Sequence, residues 1–290
     1  MNDVYGIDPE APADFQDFVQ LMRLFGTGEG RFIIDFPMSW MSAARSHLAT
    51  LSSLEQLKII ELWSSRCAGS VVPTPKKISR YPSWIESATD LQSHVKALVS
   101  KRGCPPIAEP IDKMLERPDG FPESRGGHIP RTGAAYAQAA RPLLQTSPKI
   151  VLVDPYFKLR FREKNTRRFK PSDRHKDSLK CLLSESARWG RVEVFRVMVS
   201  EEQALDDDPN GESFERDLVQ VANDAKADHI HLEYGFLEST SSIDRHPRYL
   251  LGMHQGLHFD WGFDAGDPQT TNHIEWMGPS VLKPLLDRFL

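Results

Sequence analysis

Three short runs of β-branched and aromatic residues, separated by two helical patterns, restrict the fold of this sequence more than any other feature. The runs are KIVLV at 149–153, VEVFRVMV at 192–199 and HIHLEY at 229–234. Residues 177–189 and 214–227 lie between them and have apolar side chains at helical spacing. Strands that alternate with helices form a layer joined by right-handed crossovers. The second half of the chain is therefore predicted to be an α/β domain.

The residues that follow the third run predict a hairpin and a final helix. Tyr249–Leu251 and Leu257–Trp261 are two strand-like segments with turn residues between them. From Ser280 onward the apolar side chains fall on one helical face, and Pro284 lies near the first turn, where proline is tolerated.

The first half of the chain has helical patterns but no comparable alternation. Apolar residues at helical spacing follow Asp14 and Ser52, and further helices are predicted at Trp84–Lys101 and Ile111–Glu116. The first dozen residues are rich in proline and acids and are expected to be loose.

A stretch dense in glycine and proline, PDGFPESRGGHIPRTG at 118–133, separates the two halves. An alanine-rich helix follows it. We therefore predict a mainly helical domain of unknown role at 1–130, a linker helix at 131–145 and the α/β domain at 146–290.

Composition and cysteine usage exclude several classes of protein. No apolar run reaches the roughly 18 residues that a transmembrane helix needs. The first residues, MNDVYGIDPEAPADF, are acidic and contain no apolar core of the kind found in signal peptides. Cys67, Cys104 and Cys181 are an odd and widely spaced set, which suits a reducing compartment. We therefore expect a cytoplasmic protein without a membrane span.

Cofactor and metal motifs fail their spacing tests. GTGEGR at 26–31 is rich in glycine, but no Gly-Lys-Ser/Thr follows it. His229 and His231 share one face of a predicted strand and could ligate zinc as a pair, but no cysteine lies nearby and no third ligand has a recognised spacing. Neither a cofactor nor a metal is expected.

Charge is distributed unevenly along a chain whose net charge is −4. Residues 158–176 contain nine Lys or Arg and two acids, with Phe161 and Phe169 among them, whereas residues 201–217 contain eight acids and one Arg. Basic residues interleaved with aromatic ones can bind single-stranded nucleic acid, although a solvated loop has the same composition. The candidate contacts to nucleic acid or to a partner protein are Lys158, Arg160, Arg162, Lys164, Arg167, Arg168 and Lys170.

Two short motifs give the strongest indication of chemistry. DPYF at 154–157 follows the first strand, and RHPRYLLGMHQGLHFDWGFD at 245–264 contains a His-x-Arg on a late strand. Together they resemble the degenerate phospholipase-D-like domain at the C-terminus of microtubule-interacting (MIT-domain) proteins, and its stand-alone prokaryotic relatives in antiviral defence systems. The resemblance covers the C-terminal half of the chain and implies a mixed sheet flanked by helices.

An active phospholipase-D-type enzyme needs two facing His-x-Lys-x4-Asp motifs, in which one histidine attacks phosphorus and the lysines neutralise the phosphate. Here His246 stands at the position of the nucleophile, Arg248 replaces the lysine, and Met253 stands where the aspartate belongs. No second motif is present. The resemblance therefore implies a site that has kept phosphate binding without a complete catalytic set.

Arg248 has three interpretations at this stage. It can pair with Asp154 at a strand end, bind phosphate through its planar fork with Asp154 as orienting partner, or assist catalysis by His246. We expect a non-catalytic recognition or assembly subunit of a prokaryotic, antiviral complex that binds a phosphate-bearing ligand, nucleic acid or a partner protein. The alternative is a phosphodiesterase or nuclease that acts as a homodimer through His246.

Overall fold

The chain forms two compact units, Met1–Arg125 and Gly126–Leu290. The boundary falls inside the glycine- and proline-rich stretch 118–133. A computed structural model describes the following residues: 3–37, 39–67, 69–74, 83–101, 107–116, 126–162, 169–201, 212–237 and 248–290.

The described part of the first unit contains a parallel sheet and helices on both of its faces. The strands are β1 (Asp3–Ile7), β2 (Arg31–Ile34), β3 (Val71–Val72), β4 (Ala97–Ser100) and β5 (Glu109–Pro110), in the order β3-β2-β1-β4-β5. The helices are α1 (Phe15–Leu24), α2 (Trp40–His47), α3 (Ser53–Leu62), α4 (Trp84–Ala88) and α5 (Ile111–Glu116). Tyr5 and Phe18 are part of the core on one face, and Leu98 and Leu91 are part of the core on the other.

This sheet corrects the prediction of a mainly helical first domain. Asp3–Ile7, expected to be loose, is the central strand, and Ala97–Ser100 is a strand where a helix was predicted. The strands are two to five residues long, too short for a periodic pattern to distinguish them from helix or loop.

Polar side chains at the carboxyl edge of this first sheet tie its loops together. Asp8 follows β1, and its carboxylate accepts hydrogen bonds from the Ser100 hydroxyl (2.8 Å) and the Glu10 N–H (3.0 Å). Asp35 follows β2 and accepts the Trp40 N–H at the start of α2 (2.8 Å). These carboxylates therefore serve the fold of the first unit.

The second unit is built on a seven-stranded sheet in the order β11-β10-β7-β12-β13-β14-β6. A separate two-stranded hairpin, β8–β9, follows β7 in the chain. The strands are β6 (Gly126–Pro130), β7 (Lys149–Val153), β8 (Arg160–Arg162), β9 (Phe169–Pro171), β10 (Val194–Ser200), β11 (His231–Leu237), β12 (Tyr249–Gly252), β13 (Gln255–Phe259) and β14 (Thr271–Trp276).

Strand direction changes in the middle of the large sheet. β7, β10 and β11 are parallel, as the alternation of runs and helices predicted. β12 pairs antiparallel to β7, and β13, β14 and β6 continue the antiparallel pattern. The helices of this unit are α6 (Gly133–Thr146), α7 (Asp173–Trp189), α8 (Glu212–Asp224) and α9 (Pro279–Phe289).

Alternate residues of the central strands face opposite sides of the sheet. Val151 and Leu251 pack against Leu282 of α9. On the other side, Tyr136 of α6 meets Phe259 edge-on, with ring centroids 5.6 Å apart. A mixed sheet with helices on both faces confirms the predicted α/β architecture.

The helix predicted as a linker, 131–145, corresponds to α6 and lies within the second unit. Its Thr132 cap accepts the Ala135 N–H, and Tyr136, Ala140 and Leu143 are fully buried. Along the ranges that the structure describes, no helix has both the length and the apolar character that crossing a membrane requires.

Candidate functional site

Several strands of the second unit bring their ends to one edge of the sheet. Asp154 follows β7, Arg248 precedes the antiparallel strand β12, and residues 260–264 follow β13. Arg131 follows β6 at the same edge. The antiparallel pairing thus brings together side chains that are far apart in the chain, and we call this group the strand-end site.

Asp154 fastens two loops to each other. Its side chain is buried, 1% exposed, and its two carboxylate oxygens accept the N–H groups of Tyr156 (2.9 Å) and Phe263 (3.1 Å). Burial raises the pKa of Asp154 to about 6, although both hydrogen bonds and the charge of Arg248 act in the opposite direction. Asp154 therefore serves first as a structural clasp between the loop after β7 and the loop after β13.

Arg248 is held in place by a backbone carbonyl and an aromatic ring, neither of which carries a negative charge. Its Nη1 donates to the carbonyl of Asp260 (2.6 Å), and its guanidinium carbon lies 5.4 Å from the centre of the Tyr156 ring. Among the described residues no carboxylate forms an ion pair with it. The predicted pairing with Asp154 is thus an interaction through space, which lowers the pKa of that carboxyl.

Gly262 makes the close approach of Asp154 and Arg248 geometrically feasible. Its φ is +80°, and a Cβ at this position would lie 2.6 Å from Asp154 Oδ2 and 3.1 Å from Arg248 Nε. A side chain would therefore collide with the clasp and adopt a conformation that L-residues rarely take. The absence of a side chain at Gly262 therefore lets Asp154 and Arg248 occupy this space.

The loop after β13 is also fixed from β14. The buried Asn272 accepts the Trp261 N–H (3.1 Å), donates to the Gly262 carbonyl (3.0 Å) and donates to the Tyr136 hydroxyl (3.3 Å). Together with the clasp from Asp154, these bonds hold three successive residues of the loop. Its conformation is therefore set before any ligand binds.

Arg131 and Trp261 form the outer part of the site. Arg131 Nη2 donates to Asp264 (2.6 Å), and its guanidinium carbon lies 5.8 Å from the centre of the Trp261 ring. Trp261 is 64% exposed. The sequence patterns did not single out Arg131, Trp261, Asn272 or Tyr136, because these residues come from different elements. The pairing of β14 with β6 places Arg131 here, the pairing of β14 with β13 places Asn272 beside the Trp261 loop, and Tyr136 comes from α6.

The carboxylate of Asp260 lies close to two histidines. It lies 3.5 Å from Nδ1 of His258 and 3.5 Å from Nδ1 of His273. Burial lowers the pKa of His258, and the nearby acid Asp260 opposes that shift. The hydrogen bond from Arg248 goes to the backbone carbonyl of Asp260, so this acid forms no direct ion pair with the guanidinium.

His175 is a buried, neutral histidine behind the site. Its Nδ1 lies 2.9 Å from the Ser172 hydroxyl, and its ring packs edge-on against Phe157 at 5.0 Å. Burial lowers the pKa of His175 to about 4; the acid Asp264 raises it, and the cation Lys158 lowers it further. It is therefore uncharged at neutral pH and belongs to the core.

The basic segment at 158–176 forms the β8–β9 hairpin and the start of α7. Arg160, predicted as an outward contact, makes a bidentate ion pair with Asp217 of α8 (2.5 and 2.9 Å). Lys176 adds a third contact to the same carboxylate at 3.6 Å. Arg160 thus anchors strand β8 to α8, and its role as a contact to nucleic acid or a partner stays a prediction.

Of the remaining predicted contacts, the structure describes the side chains of two and leaves the others outside the described residues. Lys158 is half-buried, and Lys170 is exposed opposite Phe161 in the hairpin. Arg162 lies in β8, but its side chain falls outside the described residues, as do Lys164, Arg167 and Arg168. His246, the predicted nucleophile, also lies outside them, so the strand-end site here comprises Asp154 and Arg248 of the predicted set.

His231 starts β11, and its Nε2 lies 3.7 Å from Glu233; His229 precedes the strand. Within the described ranges, no group of three or more His, Cys, Asp or Glu side chains could hold a metal ion.

Comparisons with known proteins do not assign this chain to a family. No protein-family model matches the chain, and no curated protein matches it. Among solved structures, an archaeal chromatin protein, TrmBL2, described as showing a novel mode of DNA binding, is 12% identical, with 84% of this chain and 83% of that chain covered and a TM-score of 0.29. A polyphosphate kinase from Porphyromonas gingivalis is 11% identical, with 88% of this chain and 36% of that chain covered and a TM-score of 0.29. Neither likeness is close enough to support an argument about fold or function.

Proposed function

We propose that the second unit is a non-catalytic recognition module that binds a phosphate-bearing ligand at the strand-end site, with Arg248 as the principal contact. One observation carries the proposal: the Arg248 guanidinium is held in place by a carbonyl and an aromatic ring, and no described carboxylate forms a direct ion pair with it. An oriented guanidinium without a direct ion pair suits the bidentate recognition of phosphate oxygens.

The chemistry of the neighbouring groups favours binding over catalysis. Asp154 uses both carboxylate oxygens for backbone hydrogen bonds, and His175 is buried with Nδ1 beside the Ser172 hydroxyl. Arginine stays protonated and cannot serve as a general acid or base at neutral pH. Of the residues that the motif predicts, only His246 could act as an acid or nucleophile, as in the alternative of a dimeric phosphodiesterase.

The setting follows from the resemblance of DPYF at 154–157 and the His-x-Arg at 246–248 to degenerate phospholipase-D-like domains. It supports a cytoplasmic subunit of a multi-subunit prokaryotic complex, with a protein partner and an antiviral role. Co-purification of the tagged chain from its native cell with a stoichiometric partner is the expected result. Isolation as a lone chain at native abundance would oppose an assembly role.

The phosphate site is tested with an abasic deoxyribose-phosphate oligomer, which carries phosphodiesters without bases. We expect Arg248→Ala to weaken binding by about tenfold or more, because a hydrogen bond to a charged group contributes about 1.5–3 kcal/mol. Arg196→Ala is the matched control, since Arg196 is similarly half-buried but paired with Glu233 (2.6 Å). Equal affinity of Arg248→Ala and wild type in fluorescence anisotropy would refute the site.

Catalytic turnover would distinguish the alternative, a dimeric phosphodiesterase, from a non-catalytic recognition module. The purified protein is expected to cleave neither single-stranded DNA, nor RNA, nor a chromogenic phosphodiester. Cleavage that His246→Ala abolishes would establish the phosphodiesterase and overturn the non-catalytic assignment.

A further inference from the structure

Trp261 is exposed on a backbone that holds it in place. Its ring is 64% exposed, while its own N–H is bonded to Asn272 and the next two residues are bonded to Asn272 and Asp154. A single exposed aromatic side chain is common on protein surfaces, but one that is fixed in position beside a guanidinium group is well placed to contact a ligand. Its position therefore points to a ligand that supplies a flat apolar face.

One guanidinium lies against this indole, and a second contacts the backbone next to it. Arg131 stands 5.8 Å from the centre of the Trp261 ring, and Arg248 donates to the carbonyl of Asp260, the residue before Trp261. Tyr156, 42% exposed, lies 5.4 Å from the Arg248 guanidinium and adds a second aromatic surface. The strand-end site thus holds two exposed aromatic rings and two guanidinium groups.

We infer that the strand-end site binds single-stranded nucleic acid, with a base stacked on Trp261 and the adjoining phosphate on Arg248. This inference rests on the proposed phosphate site and specifies its ligand. Stacking on aromatic side chains next to a cationic backbone groove is how proteins hold unpaired strands, because every base offers a π-face. A base within a duplex is already stacked on both sides and cannot cover the indole.

Two probes of equal length separate the base from the phosphate. The intact chain is titrated with labelled oligo-dT and with the abasic oligomer, in the wild type, Trp261→Ala and Trp261→Phe. We expect Trp261→Ala to weaken oligo-dT binding roughly 5- to 100-fold and to leave the abasic oligomer unchanged, because stacking is lost and phosphate contact is kept. Trp261→Phe should retain most of the affinity.

Met253→Ala is the matched control, since Met253 is a 46% exposed apolar residue at the turn between β12 and β13, the other end of the same strands. It should leave both affinities unchanged. The fluorescence of Trp261 is obtained by subtracting the emission of Trp261→Phe from that of the wild type. Oligo-dT should quench this fluorescence, and the abasic oligomer should not. Equal thermal unfolding of the variants verifies that the fold is intact.

The failures are distinguishable. Equal, Arg248-dependent affinity for oligo-dT and the abasic oligomer would overturn the stacking inference and leave the phosphate site standing. Absence of binding to both probes at low salt would remove the phosphate site as well. A mononucleotide that binds as tightly as oligo-dT, or a duplex that binds more tightly, would overturn the assignment to single strands.

Discussion

The ionisation of Asp154 gives the strand-end site a dependence on pH. Its pKa is raised to about 6, mainly by burial, so the residue is charged at pH 7.5 and neutral at pH 5. The charge of Arg248 lowers that pKa, and by reciprocity the ionised carboxylate offsets the positive charge available to a ligand. Protonation of Asp154 therefore favours the binding of an anion.

We predict that affinity for the abasic oligomer rises about threefold to tenfold as the pH falls from 7.5 to 5, given an interaction across a partly buried site. Its phosphodiesters keep their charge throughout this range. His258 can also gain a proton as the pH falls, so Asp154→Asn is the necessary comparison. A variant with the same pH profile as the wild type would show that another group, and not Asp154, controls binding.

Gly262 is predicted to be irreplaceable at the same site. Gly262→Ala combines a positive φ with a Cβ 2.6 Å from Asp154 Oδ2, and it should destabilise the fold by about 2–4 kcal/mol. Gly190→Ala is the control, because Gly190 ends α7 at a φ of +62° with nothing within 4 Å of the added Cβ. It should cost only about 1 kcal/mol. Equal losses in urea denaturation would contradict the role of the close contact.

At the scale of elements, the β8–β9 hairpin depends on one ion pair. Asp217 is 8% exposed, and Arg160→Ala would leave its carboxylate with the more distant Lys176. We predict a loss of roughly 1–3 kcal/mol in the free energy of unfolding, allowing for the partial exposure of Arg160. The double variant Arg160→Ala/Asp217→Ala should recover part of that loss. Unchanged stability with weakened oligo-dT binding would return Arg160 to the ligand surface.

The elements that sequence patterns predicted are those with long, local signals. The first strand of the second domain was predicted at 149–153 and is found at Lys149–Val153, and α7 and α8 occur where apolar spacing placed them. β6 was missed because its sequence, GGHIP, is typical of a loop; it lies at the sheet edge, where glycine and proline are tolerated.

The candidate site also divides into residues that have a local sequence signal and residues that do not. Asp154 and Arg248 could be associated from the sequence because each flanks a predicted strand. Arg131, Trp261 and Asn272 could not, since their meeting depends on the antiparallel pairing of β14 with both β13 and β6, and no local pattern fixes such pairs.

At the scale of the whole molecule, each unit has its own sheet and core. The second unit buries both faces of its sheet with its own helices. We therefore predict that residues 126–290, expressed alone, unfold cooperatively and keep the affinity of the full chain for the abasic oligomer. A fragment without a cooperative transition in urea would show that its core is incomplete without residues 1–125.

The position of β6 at the far edge of the large sheet sets the order in which the second unit can be completed. β6 precedes every other strand of the unit in the chain, yet its partner is β14. Gly126 can therefore pair with Glu275, and Pro130 with Thr271, only after β14 has been synthesised. The ribosome synthesises β6 first and β14 near the end of the unit. Contacts between residues so far apart in the chain form slowly. Arg131 joins Asp264 and Trp261 in the same late event. A nascent chain therefore lacks a finished strand-end site until β14 has emerged, and a truncated product should lack the ligand affinity that we propose for this site.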